Sequence, residues 1–357
     1  QAGGSYIFLN EDWLGGLMQG AIPSTDIMPE TDYKADLGVE FGMFDNSLMF
    51  QLEGFYNNRK NIACDGSETV SEVLGVGVPI IFTGETVNYG PELSATWRKT
   101  IGDFTYSIGG NVSYSKNRIV EAAEGHVPYE WQRIAGTQIG EMYGYEPVGF
   151  YQQEDFNADG SLKEGVAASG LISTLRPGDV KYNDLNEDGI IDENDAKYHG
   201  VSYWPSLYYG INIGMEYKNF GFQAMFQGAG NFMVYTNLAN VYQPLYNNDK
   251  NISKHYLENY WSAQSPQGRY PRLTTESNAH NYANSPVWWE RGDYLKLRNL
   301  YVWYDFGQYI DKIDSFRLFF RGNNLFSIDN VKIMDPEHVS LAYPTARSFQ
   351  LGLKLTF

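Results

Sequence analysis

One acidic stretch of the sequence has the residue spacing of a calcium-binding loop. Its oxygen-bearing residues are Asp184, Asn186, Asp188, Ile190 (through its carbonyl), Asp192 and Asp195, with Gly189 among them. They match the first, third, fifth, seventh, ninth and twelfth positions of an EF-hand loop, in which oxygens surround a hard cation and a glycine allows the sharp turn. The twelfth position is Asp instead of the usual bidentate Glu, and no flanking helices are evident. We therefore expect a structural Ca²⁺, in preference to Mg²⁺, with a self-bonded acidic turn as the alternative.

The remaining residues do not form a pattern expected of an enzyme. The histidines show neither metal-binding nor catalytic-triad spacing; they are His126, His199, His255, His280 and His338. The single Cys64 excludes cysteine-based metal sites and redox pairs within this chain. A formal net charge of −17 opposes nucleic-acid binding. The sequence predicts a protein that is neither an enzyme nor a nucleic-acid binder.

Aromatic residues are the second group that could contact a ligand. They make up 16% of the chain and are led by 28 Tyr and 20 Phe. Many lie between predicted strands, where they could stack on sugar faces or pack against a partner. Trp131 and Trp261 are the best candidates for such ligand or lid contacts. The alternative is that these rings pack the loops themselves or form an interfacial girdle.

Strands with two-residue periodicity must position these groups. In the last segment, apolar residues from Phe349 to Phe357 alternate with polar ones, which is typical of a strand with two unlike faces. The same pattern predicts strands at 31–43, 47–58, 87–98, 103–117, 203–217, 219–234, 291–306, 314–325 and 347–357. A phase change near Asn299 predicts a bulge. Charged residues fall on or near the polar face and could contact a ligand or form ion pairs across the wall: Glu40, Glu216, Lys296, Arg298, Arg317, Arg321 and Lys354.

The connections between these strands alternate between short and long. Turns near 43–47, 99–103, 217–220 and 307–313 are short, whereas 59–86, 118–202, 235–290 and 326–346 are long. Outer-membrane barrels sort short periplasmic turns and long extracellular loops in this way, and a soluble sandwich has no reason to. The fold class predicted is all-β: a membrane-spanning antiparallel β-barrel, here a partial barrel of about nine or ten C-terminal strands with long extracellular loops.

The parity of the connections predicts how the chain is organised. If the long loops are extracellular and the C-terminus is periplasmic, the chain before 31–43 lies outside the cell, unlike the start of a complete barrel. We therefore expect 1–30 to be an extracellular loop remnant and 31–357 to be the C-terminal portion of a barrel. Within it, 118–202 is a long acidic loop, because 119–201 holds 16 Asp and Glu against 5 Lys and Arg. The strand-like segment 139–151 is assigned to this loop.

Four ordered stretches resemble SusC-like TonB-dependent outer-membrane transporters. They are Pro177–Asp192, Asp293–Leu300, Arg321–Phe326 followed by Asp335-Pro-Glu337, and the terminal strand that ends at Phe357. Their order and spacing are similar to the C-terminal region of that family, and the resemblance covers the chain from about residue 30 onward. It implies a plugged barrel whose plug domain and TonB-contacting segment are absent from this sequence.

The resemblance also implies a function. A SusD-like surface lipoprotein would close over the extracellular mouth, and TonB would act through the N-terminal part to release the ligand to the periplasm. The ligand expected is an oligosaccharide, with peptides as the alternative, because the sequence does not identify the substrate. A passive porin, a structural surface barrel or a soluble binding sandwich are the other classes considered. The expected location is the outer membrane of a Gram-negative bacterium, in contact with its lipid and with the remainder of the barrel.

Overall fold

The computed structural model describes most of the chain. The described residues are 2–8, 12–17, 22–66, 69, 77–236, 243–245, 250–306, 315–338, 343 and 345–356. For 2–8 and 12–17 only the backbone is described. Of the predicted features, Phe357 and the whole turn at 307–313 fall outside these residues.

One large sheet contains the strands predicted from two-residue periodicity. Its members are β3 (Thr31–Met43), β4 (Leu48–Asp65), β5 (Ile80–Ile101), β6 (Phe104–Tyr114), β14 (Leu207–Tyr217), β15 (Phe220–Gly230), β18 (Tyr294–Asp305), β19 (Ser315–Asp329) and β20 (Ser348–Thr356). Their order is β20-β19-β18-β15-β14-β6-β5-β4-β3, and β7 (Lys116–Glu121) also pairs with β5. All the predicted strands are present, although β4 and β5 extend well beyond their predicted ends.

The remaining strands form two-stranded sheets. A first hairpin joins β1 (Ala2–Phe8) to β2 (Asp12–Leu17), within the predicted loop remnant. The others pair β8 (Glu141–Tyr145) with β13 (Ala196–Ser202), β9 (Pro147–Phe150) with β11 (Val180–Tyr182), β10 (Ala168–Ser169) with β12 (Ile190–Ile191), and β16 (Met233–Tyr235) with β17 (Trp289–Arg291). The segment 139–151 therefore belongs to the loop and not to the large sheet, as predicted.

The strand registers confirm the predicted faces and the bulge. The antiparallel pairing of β18 with β19 shifts register between Leu297 and Asn299, which places a bulge beside Asn299. Tight turns join β3 to β4, β5 to β6 and β14 to β15 at one end of the sheet. Long connections leave the other end. One short helix, α1 (Lys254–Asn259), lies in the third long connection.

The chain forms two compact units. The first consists of 1–35, 56–89 and 117–137, and the second of 36–55, 90–116 and 138–357. Ion pairs within the first unit join Arg59 to Asp32 at 3.4 Å and Lys60 to Glu85 at 3.3 Å. Within the second unit, aromatic packing is concentrated in the long connections. The rings of Tyr256, Tyr270 and Trp288 are fully buried there, and the first two stack with centroids 4.7 Å apart.

No helix among the described residues is long and apolar enough to cross a membrane.

Candidate functional site

The two faces of the large sheet differ in chemistry. One row across six strands carries mainly apolar side chains: Ile108, Ile213, Ala224, Leu300, Gly322 and Phe349. The adjacent row on the opposite face carries Ser107, Gly214, Gln223, Tyr301, Arg321 and Gln350. Ile108 of this row is 54% exposed and Leu351 of the same face is 76% exposed, whereas Ala224 near the centre of the row is buried. Exposed apolar side chains grouped on one face mark a membrane or partner contact.

A buried carboxylate connects two of the long connections. Asp179 is fully buried, and its Oδ1 accepts hydrogen bonds from Arg272 Nε at 2.7 Å, Asn281 Nδ2 at 2.8 Å and Asn278 Nδ2 at 3.3 Å. Its Oδ2 accepts the backbone N–H of Arg176 at 2.8 Å. A buried charge requires this many donors because it has lost its contact with water. We call these residues, without Arg176, the Asp179 cluster.

His280 lies next to the Asp179 cluster and is also fully buried. Its Nε2 donates to the carbonyl of Val180 at 2.6 Å, and its Nδ1 lies 2.9 Å from the Ser169 hydroxyl. The Tyr182 hydroxyl donates to the carbonyl of His280 at 3.0 Å. Burial lowers the pKa of His280, although the hydrogen bond to Val180 and the charge of Asp179 act in the opposite direction. Burial therefore favours the neutral form of the His280 imidazole.

The lowered pKa of His280 predicts a pH-dependent stability of the loop. Because the folded pKa lies below the ordinary value, the stabilisation is complete above about pH 6.5 and is lost as the pH falls towards the folded pKa. We expect the Val180 amide, which donates to Asn281 Oδ1 at 2.9 Å, to lose hydrogen-exchange protection by up to about tenfold per pH unit in that range. His280→Gln should remove this pH dependence of hydrogen exchange. His126→Gln, which replaces an exposed histidine, should retain it. Equal pH dependence in all three proteins would contradict the prediction.

The predicted calcium loop has an EF-hand-like backbone. Gly189 adopts φ +85° and its N–H donates to Asp184 Oδ2 at 2.8 Å, which closes the turn. The two oxygens of Asp195 accept the backbone N–H groups of Leu185 at 2.7 Å and Asp192 at 2.9 Å. Burial raises the pKa of Asp195, so its charge is poorly solvated. The alternative of a self-bonded turn thus accounts for most of these contacts.

One atom of this loop is left without a partner. Asp184 Oδ1 is buried and makes no hydrogen bond with the described residues. A buried carboxylate oxygen in this condition is unfavourable unless a donor or a cation approaches it. Within the same residues, no three His, Cys, Asp or Glu side chains are grouped closely enough to hold a metal ion. The loop therefore fits a cation at Asp184 only if neighbouring side chains turn towards it.

Trp131 lies in the first unit and supports a neighbouring ring. It stacks on Tyr129 with ring centroids 4.5 Å apart and planes 9° apart. Tyr129, and not Trp131, lines a cavity of about 340 Å³ formed by residues 124–130 and Arg133. Ion pairs from Arg133 to Glu130 at 3.3 Å and to Glu124 at 3.5 Å order this wall. Tyr129 was not among the candidates selected from the sequence, which were Trp131 and Trp261.

Trp261 lies in the second unit and packs against backbone. A Cβ added to Gly178 would lie 2.2 Å from the Trp261 ring, so only glycine permits this contact. The indole Nε1 is buried without a hydrogen-bond partner among the described residues. These contacts match the alternative that loop aromatics pack the loops themselves. A ligand or lid contact by Trp261 stays a prediction.

A second cluster of charged and polar residues joins a long connection to the polar face of the large sheet. Lys296 of β18 is nearly buried and pairs with Asp335 and, at 2.7 Å, with Glu337. Glu337 also accepts hydrogen bonds from Arg298 and, at 3.1 Å, from the Tyr294 hydroxyl. We call these five residues the Lys296 cluster. Lys296 and Arg298 thus form ion pairs, as one of the two alternatives expected, but the partners are Asp335 and Glu337 of a long connection and not residues across the wall.

Comparison with known proteins identifies the relatives of this fold. No family model matches the sequence. The chain is 27% identical to TonB-dependent receptor P3 of Formosa agariphila in an alignment 388 positions long, gaps included, which covers 99% of this chain and 36% of the relative. It is 24% identical to TonB-dependent receptor P26 of the same organism in an alignment 363 positions long, which covers 96% of this chain and 36% of the relative. This chain is homologous to TonB-dependent receptors.

The solved structures agree with this homology at the level of the fold. The RagAB peptide importer in its open-open state superposes with a TM-score of 0.72 at 16% identity, covering all of this chain and 38% of that chain. The RagAB peptide transporter gives a TM-score of 0.69 at 17% identity, with the same coverage. The predicted antiparallel barrel-type sheet is therefore confirmed. The chain spans little more than a third of the length of the TonB-dependent receptors that it matches.

Proposed function

We propose that this chain forms part of the wall of an outer-membrane transporter that imports oligosaccharides, energised through TonB and closed by a SusD-like lipoprotein. The observation that supports it most is the homology to TonB-dependent receptors over 99% of the chain. The two unlike sheet faces supply the physical reason. An exposed apolar face suits lipid, and a polar face suits the lumen of a barrel. In this proposal the ligand crosses without chemical change, and the protein is not an enzyme.

The two ends of the sheet support one orientation of the chain in the membrane. Tight turns join strands at one end and long connections leave the other, which in outer-membrane barrels are the periplasmic and extracellular sides. We place the long connections outside the cell and the C-terminus in the periplasm. The long connections would then carry both the ligand contacts and the surface for the lipoprotein.

The cavity beside Tyr129 supports an oligosaccharide as the ligand. Its volume of about 340 Å³ is within the range of small-molecule sites. Two carboxylates, a guanidinium and an aromatic ring line it, and this combination can bond sugar hydroxyls and cover an apolar sugar face. Trp131 would hold the Tyr129 ring in place. Peptides are the second candidate, because the RagAB proteins of similar fold are named a peptide importer and a peptide transporter.

Uptake by intact cells tests this proposal. Deleting the gene should abolish the accumulation of a labelled oligosaccharide mixture and leave that of a labelled peptide mixture unchanged. Dissipating the inner-membrane potential should have the same effect, whereas a passive porin would continue to equilibrate the label. Tyr129→Ala should lower the rate about threefold to tenfold, and Tyr217→Ala, at the tight-turn end, should not. If the deletion abolished only peptide uptake, the substrate would be a peptide and not an oligosaccharide. If the deletion changed neither uptake, the proposed import function would be refuted.

We also propose that Ca²⁺ binds the loop from Asp184 to Asp195 and rigidifies it. The supports are the ligand spacing of Asp184, Asn186, Asp188, Ile190, Asp192 and Asp195, the EF-hand-like turn at Gly189, and the unpartnered oxygen of Asp184. A divalent cation would also offset the poorly solvated charge of Asp195. The ion would have a structural role in this position.

Calorimetric titration with CaCl₂ tests the cation site. We expect Asp184→Asn in the purified detergent-solubilised protein to weaken binding by at least about tenfold, or about 1.4 kcal/mol, because it neutralises the oxygen that lacks a partner. Glu187→Gln is the matched control, since that residue lies in the same turn at a position that supplies no ligand. Titration with MgCl₂ separates the two ions. Equal affinities of both variants, or no heat from the unsubstituted protein, would refute the site.

A further inference from the structure

A second cavity lies at the end of the large sheet from which the long connections leave. Its volume is about 560 Å³, and all the residues that line it belong to the second compact unit. It is formed where β6 ends and β18 begins, and its lining includes Tyr114, Lys116, Arg291 and Asp293. This volume is within the range of small-molecule sites.

The cavity borders the apolar face of the sheet. Tyr114 pairs in register with Leu207, which shares its strand face with the apolar row. A Cβ added to Gly230 would lie 3.5 Å from the Leu207 side chain and 3.5 Å from Asp293 Oδ1, so Asp293 lies on that face too. Arg291 forms an ion pair with Asp293. The charged residues of the cavity therefore adjoin the face that the proposed function assigns to lipid.

The cavity is basic, although the whole chain has a formal net charge of −17. Its lining holds two cations, Lys116 and Arg291, and one carboxylate, Asp293. That carboxylate already accepts hydrogen bonds from Arg291 and, at 2.8 Å, from the backbone N–H of Asn231. Lys116 is exposed, and within the part of the chain that the structure describes its ammonium makes no ion pair or hydrogen bond. One positive charge is therefore left for an anionic ligand.

The position of the cavity along β14 corresponds to the edge of a lipid-facing band. β14 has 11 residues from Leu207 to Tyr217, and Ile211, Met215 and Tyr217 are exposed on its apolar face. At a rise of about 3.3 Å per residue and a tilt of about 40°, this strand spans about 25 Å along the membrane normal, which is the height of the apolar band of a barrel. The cavity residue Ser206 directly precedes β14. The cavity therefore lies at the level of the lipid headgroups.

Two exposed aromatic residues beside the cavity indicate the same level. Tyr203 and Trp204 follow the cavity residue Ser202 and are 38% and 51% exposed, with ring centroids 5.1 Å apart. The Ser202 hydroxyl accepts the backbone N–H of Trp204 at 3.0 Å, which ties these rings to the cavity wall. Trp and Tyr are enriched at membrane–water interfaces, where one end of the side chain is in contact with lipid and the other with water.

We propose that Lys116 and Arg291 bind a phosphate group of a phosphorylated glycolipid of the outer leaflet. The acyl chains would lie along the apolar face, and the phosphate would accept charge-assisted hydrogen bonds from the ammonium and the guanidinium. The cavity is larger than a phosphate ion, and its polar residues, among them Ser206 and Asn231, suit the hydroxyls of the attached sugar. The inference rests on the proposed function for the location of the chain in an outer membrane.

Titration with lipid A, a phosphorylated disaccharide lipid, tests this site. The assembled transporter is delipidated in detergent, and bound lipid is measured by native mass spectrometry. Replacing both cations, Lys116→Gln with Arg291→Gln, should weaken the binding of diphosphorylated lipid A by about tenfold to thirtyfold, because each cation near a headgroup contributes about fivefold. Lys116→Arg retains the charge and should retain the binding.

The matched control removes two exposed cations near the tight-turn end of the sheet. Lys99→Gln with Lys218→Gln causes the same change of net charge far from the cavity and should leave the affinity for lipid A unchanged. Equal affinities of the two double variants would overturn the inference. So would equal binding of lipid A that has lost its phosphates. Displacement of lipid A by an equal concentration of inorganic phosphate would also overturn it, because the site would then bind a free anion.

Uptake by the same cells separates this inference from the proposed function. If the unsubstituted protein imports its substrate and does not bind lipid A, the inference alone is refuted. If the protein binds lipid A through its phosphates and the cells show no import that depends on it, the proposed function alone is refuted.

Discussion

Replacing Asp179 with alanine is expected to separate the two long connections that the Asp179 cluster joins. The substitution removes a fully buried carboxylate and leaves the guanidinium of Arg272 and the amides of Asn278 and Asn281 without their acceptor. Breaking a buried ion pair by removing one partner costs about 3–5 kcal/mol. The local opening free energy of the Val180 amide should fall by about that amount, which is at least a hundredfold faster hydrogen exchange at roughly 1.4 kcal/mol per factor of ten.

The matched control for Asp179 is an acidic residue of the same long connection. Asp159 is exposed, and among the described residues its carboxylate accepts hydrogen bonds from the hydroxyl and backbone N–H of Ser161, two residues away. Asp159→Ala should leave the exchange of Val180 unchanged. Hydrogen exchange of the purified protein, read by mass spectrometry of the peptides around 180 and 281, measures both. If Asp179→Ala changed only the peptide that contains residue 179, Asp179 would not join the two connections.

The strands of the large sheet could be predicted because their information is local. Each of them alternates polar and apolar residues, and the register shift beside Asn299 follows from a phase change in the same short segment. The extensions of β4 to Asp65 and of β5 back to Ile80 were not predicted. They contain charged and polar residues at every phase, and partners distant in sequence stabilise them, as in the ion pair of Lys60 with Glu85.

The contacts of the long connections could not be predicted because they also join residues that are distant in sequence. Asp179 bonds Arg272, Asn278 and Asn281 across about a hundred residues, and no periodicity in either segment records that pairing. The sequence also does not show whether a side chain is exposed. Trp261 was therefore selected for its residue type, although its ring packs on Gly178. The candidate calcium loop could be recognised in the sequence because all its proposed ligands lie within twelve consecutive residues. Whether Asp184 Oδ1 is buried and has a hydrogen-bond partner, by contrast, depends on the packing around it.

Replacing Lys296 with methionine is the second substitution with a large expected effect. The ammonium is nearly buried and is the shared partner of Asp335 and Glu337, so its loss leaves two carboxylates close together with Arg298 as the remaining cation. We expect a cost of about 3–5 kcal/mol, seen as faster hydrogen exchange across 331–338. Lys354→Met, on the exposed part of β20, is the matched control and should leave that exchange unchanged.

Low pH should release residues 331–338 from the sheet by protonating Asp335. Burial raises the pKa of Asp335, but hydrogen bonds from Lys296 and Thr345 outweigh this effect and hold the pKa below its ordinary value. Because the folded pKa is lowered, the stabilisation is complete above about pH 4 and is lost as the pH falls through the folded pKa. In Lys296→Met the ammonium no longer lowers that pKa, so the release should begin at a higher pH than in the unsubstituted protein. Release at the same pH in both proteins would mean that the ion pair with Lys296 does not hold residues 331–338 on the sheet.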